Sequence, residues 1–114
     1  MATLTGSAAT TAAKASKSTK SAVDRLKQAQ RAAILLKQIS DPTRLRVILM
    51  LAEGEKHVGA LSSELDQSQP AVSHHLALMR HGGVITPRRQ GKSNYYELAE
   101  KGEALVRVVK TLMG

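Results

Sequence analysis

Four histidines and a run of cations carry most of the chemistry open to this sequence. Ser73 and His74 stand side by side, with His75 next and His81 a little further on. A serine beside a histidine suggests a nucleophile and its base. Neighbours on a helix, however, point about a quarter turn or more apart, and no carboxylate stands near them in sequence to orient the ring. His74, His75 and His81 are also a conceivable metal cluster. Zinc wants about four N, S or O donors, so histidines that pack or face a partner are the favoured reading. The sequence has no cysteine, which excludes disulfides, thiolate metal sites, thiol nucleophiles and thiol redox switches. No glycine-rich phosphate loop is present. Neither catalysis nor a cofactor is expected.

The cations are unevenly placed. Between Gln67 and Tyr96 there is no acidic residue, while Arg80, Arg88, Arg89, Lys92 and His74, His75 and His81 all lie inside that stretch. A proportional share of the nine acids would have put about two there. The net charge is +8 and aromatic residues make up 2%, two tyrosines. A small domain this basic meets a polyanion, nucleic acid before others. The 114 residues leave room for one domain. No apolar run approaches the roughly 18 to 20 residues of a membrane span, so a soluble, cytoplasmic chain with no membrane partner is expected.

The elements that must position these residues follow from spacing. Residues 1–20 are Ala, Thr, Ser and Lys with little large and apolar, and are read as a disordered basic tail. The tail serves either as a solvated leader or as an arm whose Lys14, Lys17 and Lys20 touch phosphates. It has neither the apolar stretch of a secretory signal nor the arginines of a transit peptide. From about Ser21 onward, residues 21–114 are read as one domain. Val23, Leu26, Ala29, Ala33 and Leu36 recur at helical spacing. Asp41 then caps a second helix with Pro42 at its first position. Leu45, Val47, Ile48, Leu49, Met50 and Leu51 make this helix the buried centre, and Gly54 ends it. Val58, Leu61 and Leu65 mark a short helix. The turn Asp66-Gln67-Ser68 leads to another, opened by Pro70 and carrying Val72, Leu76 and Met79 inward until Gly82-Gly83. Two short helices joined by a tight turn form a helix-turn-helix. Val84 to Arg89 and Ser93 to Leu98 flank Gln90-Gly91-Lys92 as a β-hairpin. Ala104, Leu105, Val108, Val109 and Leu112 define a last amphipathic helix. The expected fold is mainly α with a small β-hairpin, a winged helix-turn-helix with an additional helix at each end.

Three motifs, Asp41-Pro42-Thr43-Arg44-Leu45-Arg46, then Ser68-Gln69-Pro70-Ala71-Val72-Ser73-His74-His75-Leu76, then Arg88-Arg89-Gln90-Gly91-Lys92-Ser93-Asn94-Tyr95-Tyr96-Glu97-Leu98, together resemble the ArsR/SmtB family of bacterial winged-helix repressors. The likeness runs from about Ile34 to Leu98. It implies a homodimer joined through the first and last helices, a palindromic operator in double-stranded DNA, and release by an inducer that the sequence does not identify. Apolar stripes on both terminal helices agree, since pairing across a two-fold axis would bury them. Two other readings stay open. One is a regulator without an inducer site that competes with another DNA-binding protein. The other is a protein-interaction module that uses the terminal helices.

On the DNA reading, the second helix of the motif enters the major groove by its N-terminal end. Gln69 in its first turn suits an adenine edge. Ser68 caps the helix, with or without a phosphate contact, and Ser73 and His74 face outward. His75 is read as packed rather than DNA-facing. Arg80, Arg88, Arg89 and Lys92 supply cations for phosphates or the minor groove. One of Tyr95 and Tyr96 packs inward, and the other is free to reach a phosphate. Arg44 and Arg46 snorkel or pair with acids. The family's two metal sites fall, in this sequence, on His57 with no cysteine to join it, and on Glu100, Gly102 and Met113 with the fourth position beyond the last residue. One oxygen donor cannot hold a transition metal, so no metal site is expected.

Overall fold

In the computed structural model, residues 12–114 are described, with side chains from residue 21 onward. Five helices and three strands follow in order. They are α1 (Ala12–Gln38), α2 (Pro42–Leu51), β1 (Lys56–His57), α3 (Val58–Leu65), α4 (Gln69–His81), β2 (Ile85–Gln90), β3 (Ser93–Leu98) and α5 (Glu100–Met113). The chain divides into two units, the first ending at Ala33 and the second running Ile34–Gly114. The expected domain start at Ser21 falls inside α1, which reaches back to Ala12. The disorder expected of residues 1–11 lies outside the described residues.

In the second unit the core forms where the apolar stripes of α2 to α5 meet. Val47 and Ile48 of α2, Leu61 of α3, Val72 and Met79 of α4, and Val84 before the hairpin are fully buried. Leu105, Val106 and Val109 close the core from α5, and Leu35 and Ile39 pack against it. Val106, which the apolar spacing of α5 did not single out, is buried, whereas Val108 stays exposed. No polar or charged residue is buried among them.

Local chemistry fixes each boundary. Asp41 accepts the Arg44 amide at 3.0 Å, capping α2 ahead of Pro42. Ser68 does the same for α4, accepting the Ala71 amide at 3.2 Å. At the end of α3, Asp66 adopts φ 54° and Gln67 N–H returns to the Ser62 carbonyl at 3.2 Å. α4 ends in the same way, with Gly83 at φ 77° and Val84 N–H bonded to the Met79 carbonyl at 3.0 Å. Both are Schellman closures, which need a left-handed residue after the helix. The motif's turn is tied down by Gln67 Nε2 donating to Thr43 Oγ1 at 3.0 Å and by Ser62 Oγ donating to the Gln67 carbonyl.

The hairpin has one strand more than its sequence announces. β1 pairs antiparallel with β3, Lys56 opposite Tyr96, so the sheet runs β1-β3-β2. The register of β2 on β3 runs from Ile85↔Leu98 to Gln90↔Ser93, with Gly91 at φ 61° in the connecting turn.

Candidate nucleic-acid interface

Helix α4 buries Val72, Leu76 and Met79 and turns its remaining faces to solvent. Ser68, Gln69, Ser73, His74 and Arg80 are all exposed. The proline and cap that start this helix therefore present Gln69 at its first position. His75 is half-buried with Nδ1 enclosed and unpartnered, in keeping with a packed role. Its ring lies 6.2 Å from that of His74.

Two grooves flank the exposed face of α4, and they share Ser73 and Tyr96. One, of about 500 Å³, is lined by His57, Gly59, Gln69, Ser73, Lys92 and Asn94 among others. The second, of about 520 Å³, is lined by Ser73, Ala77, Arg80, His81 and Tyr96. Neither has an acidic residue in its wall, and each has a cation, Lys92 in the first and Arg80 in the second. Gly59 keeps the first groove open: a Cβ there would lie 3.0 Å from the His57 ring and 3.8 Å from Gln69 Nε2. The acids gather elsewhere. Glu53, Glu55, Glu97 and Glu103 line a separate cleft of about 430 Å³ between the end of α2 and α5.

Strand alternation separates the wing's two arginines. Arg89 lies opposite Asn94, on the face that carries Tyr96, while Arg88 lies opposite Tyr95 on the other face. Tyr96 packs against the core, and Tyr95 makes an edge contact with His57 at 5.5 Å. Arg89 and Lys92 are exposed, whereas Arg88 Nη2 sits 2.7 Å from Glu55 Oε1. The sequence grouped both arginines as free wing cations; the pairing of Arg88 depends on an acid far from it in the chain. Among the described residues, neither Arg44 nor Arg46 makes a salt bridge to an acid. Arg44 Nε donates to the Gln38 carbonyl at 2.7 Å, and Arg46 Nη2 to the Glu64 carbonyl at 3.3 Å. Each closes a helix C-terminus, where cations are favoured.

His57 Nδ1 accepts the Ala60 amide at 3.2 Å and so caps α3. Gly102 faces the Val84 carbonyl, leaving no room for a side chain. Among the described residues, no group of three His, Cys, Asp or Glu is placed to hold a metal ion. No described helix is long and apolar enough to cross a membrane.

A short helix-turn-helix, a three-stranded wing and flanking helices define a winged helix-turn-helix protein. The family model described as "Bacterial regulatory protein, arsR family" matches residues 41–86. The biofilm growth-associated repressor of Agrobacterium fabrum is 43% identical over 74 residues, 65% of this chain and 63% of that one. The crystal structure of the transcriptional regulator HlyU from Vibrio vulnificus superposes with a TM-score of 0.73 at 33% identity, covering 81% of this chain and 97% of that one. The homodimeric winged helix-turn-helix DNA-binding domain of Mb0332 from Mycobacterium bovis gives 0.65 at 27% identity, covering 76% and 84%. The chain belongs to the ArsR family of bacterial regulatory proteins.

Proposed function

We propose that this protein is a cytoplasmic, homodimeric transcriptional repressor that binds a palindromic operator in double-stranded DNA. The observation that carries the reading is the pair of acid-free grooves along the exposed face of α4, each with a cation in its wall. A helix N-terminus bearing Gln69 fits the major groove, where a side-chain amide reads an adenine edge by two hydrogen bonds. Ser73 and His74 extend that readout, and Ser68, Arg80, Arg89 and Lys92 hold phosphates and fix the register.

Dimerisation through the first and last helices is supported by what they expose. On α5, Val108, Leu112 and Met113 face solvent, and on α1 so do Val23, Leu26, Ile34 and Leu36. Apolar faces of this kind mark a protein interface. Two copies related by a two-fold axis would set two α4 helices about one DNA turn apart, hence a palindrome. The repressor sign is supported by the Agrobacterium relative, named a repressor.

Footprinting the purified protein on the DNA upstream of its own gene tests the reading. A protected palindrome, lost as salt rises, is the expected result. Equal, salt-insensitive binding to every fragment would overturn it.

A further inference from the structure

The ion pair between Glu55 and Arg88 joins the wing to a distant part of the chain. The same Glu55 Oε1 that meets Arg88 Nη2 at 2.7 Å also accepts from Gln90 Nε2 at 3.1 Å. Glu55 stands between Gly54, whose φ of 145° turns the chain after α2, and β1, whose pairing with β3 fixes the backbone from which the carboxylate departs. Arg88 and Gln90 alternate onto one face of β2. That face is shared with Tyr95 and is opposite to the one carrying Tyr96 and Arg89. Since β3 lies between β1 and β2, the carboxylate reaches across the middle strand and holds the outer strand at two points.

We propose that Glu55 is the positioning residue of the wing. It holds β2 to the segment before β1, and it keeps the charge of Arg88 from DNA phosphates. The proposal rests on the DNA-binding reading above and adds a division of labour within it. Arg89 and Lys92 meet phosphates, while Arg88 is spent on holding the hairpin. A free Arg88 would add a phosphate contact that carries no sequence information, so tying it down favours discrimination over raw affinity. The two side chains are 53% and 29% exposed, and a lone pair so exposed is weak. Here the second hydrogen bond to the same oxygen and the strand pairing beneath it hold the geometry.

The test is fluorescence anisotropy of the full chain on a random-sequence duplex over a salt series. It compares wild type, Arg88→Gln, Glu55→Gln, the double variant, and Arg89→Gln as reference. Arg88→Gln is expected to bind within about twofold of wild type with the same salt slope, whereas Arg89→Gln binds more weakly with a slope shallower by about 0.9 per lost contact. Glu55→Gln is expected to bind several-fold more tightly, its slope steeper by about 0.9 per freed charge. Adding Arg88→Gln to it should abolish that gain. The proposal is overturned if Arg88→Gln loses as much as Arg89→Gln, or if the gain persists in the double variant. Amide hydrogen exchange gives a readout that needs no DNA: β2 should exchange faster in both Glu55→Gln and Arg88→Gln. Unchanged exchange overturns the clamp even where DNA binding holds. Wild type that fails to bind DNA at low salt, with β2 exchange responding as expected, would sink the DNA reading and the Arg88 charge role with it, but leave the clamp itself supported.

Discussion

Gln69 sits exposed at the first position of α4, held there by the Ser68 cap and by Pro70 behind it. Gln69→Ala should cost about 1–3 kcal/mol on the preferred sequence and little on random DNA, measured as the ratio of the two affinities. Equal loss on both would mean that the side chain only positions. The caps carry stability rather than specificity. The Arg44 amide, donating to the Asp41 carboxylate, is the main cause that holds this carboxyl below its ordinary value of 3.8; desolvation opposes it, and the Arg44 and His75 charges add smaller pulls downward. A depressed folded value means that the carboxylate stabilises the fold fully above pH 3.8, and that this contribution is lost as pH falls through the lower folded value. Asp41→Ala should lower stability by about 1 kcal/mol at neutral pH and flatten the acid limb of a denaturation series. Both caps were legible in the sequence, because a cap and its amide lie three residues apart. The partners of Arg46 and Arg88 were not, because they lie 18 and 33 residues away and only the folded chain brings them near.

Among the elements, the helices announced themselves and the sheet did not do so fully. The stripes of α3 and α4 recur at helical spacing, and the left-handed Asp66 and Gly83 close them where the turns were expected. β1 is two residues long, too short for any alternating pattern, and exists only because β3 offers an edge. The tightest approach between elements was also silent in the sequence. A Cβ on Gly102 would lie 2.2 Å from the Val84 carbonyl oxygen, which already accepts the Ala99 amide at 2.9 Å. Gly102→Ala would gain up to about 1 kcal/mol of helix propensity. The clash with backbone should outweigh that gain, for a net loss of about 1–3 kcal/mol in urea denaturation. A neutral or stabilising result would show that α5 can move away from the start of the wing. The position matched to a metal ligand in the family thus serves close packing here.

At the scale of the molecule, the exposed apolar side chains of α5 predict association. Leu112→Glu with Val108→Glu should give a folded monomer by sedimentation, with helical content kept and DNA affinity reduced well beyond the loss of any single contact. A dimer of unchanged strength would place the interface elsewhere. The burial of Val106 was not legible, since the stripe read from spacing on α5 runs through Leu105, Val108 and Val109 and the fold widens the buried face to Val106 while Val108 stays exposed. The separation of charge has a consequence in time. Four of the nine glutamates and aspartates share one cleft, and the grooves beside α4 have none. A second unit so lopsided behaves in solution as an electric dipole, and a polyanion's field turns it before contact is made. Encounters that begin the wrong way round are rejected early, so added salt should slow arrival on DNA more than it hastens departure.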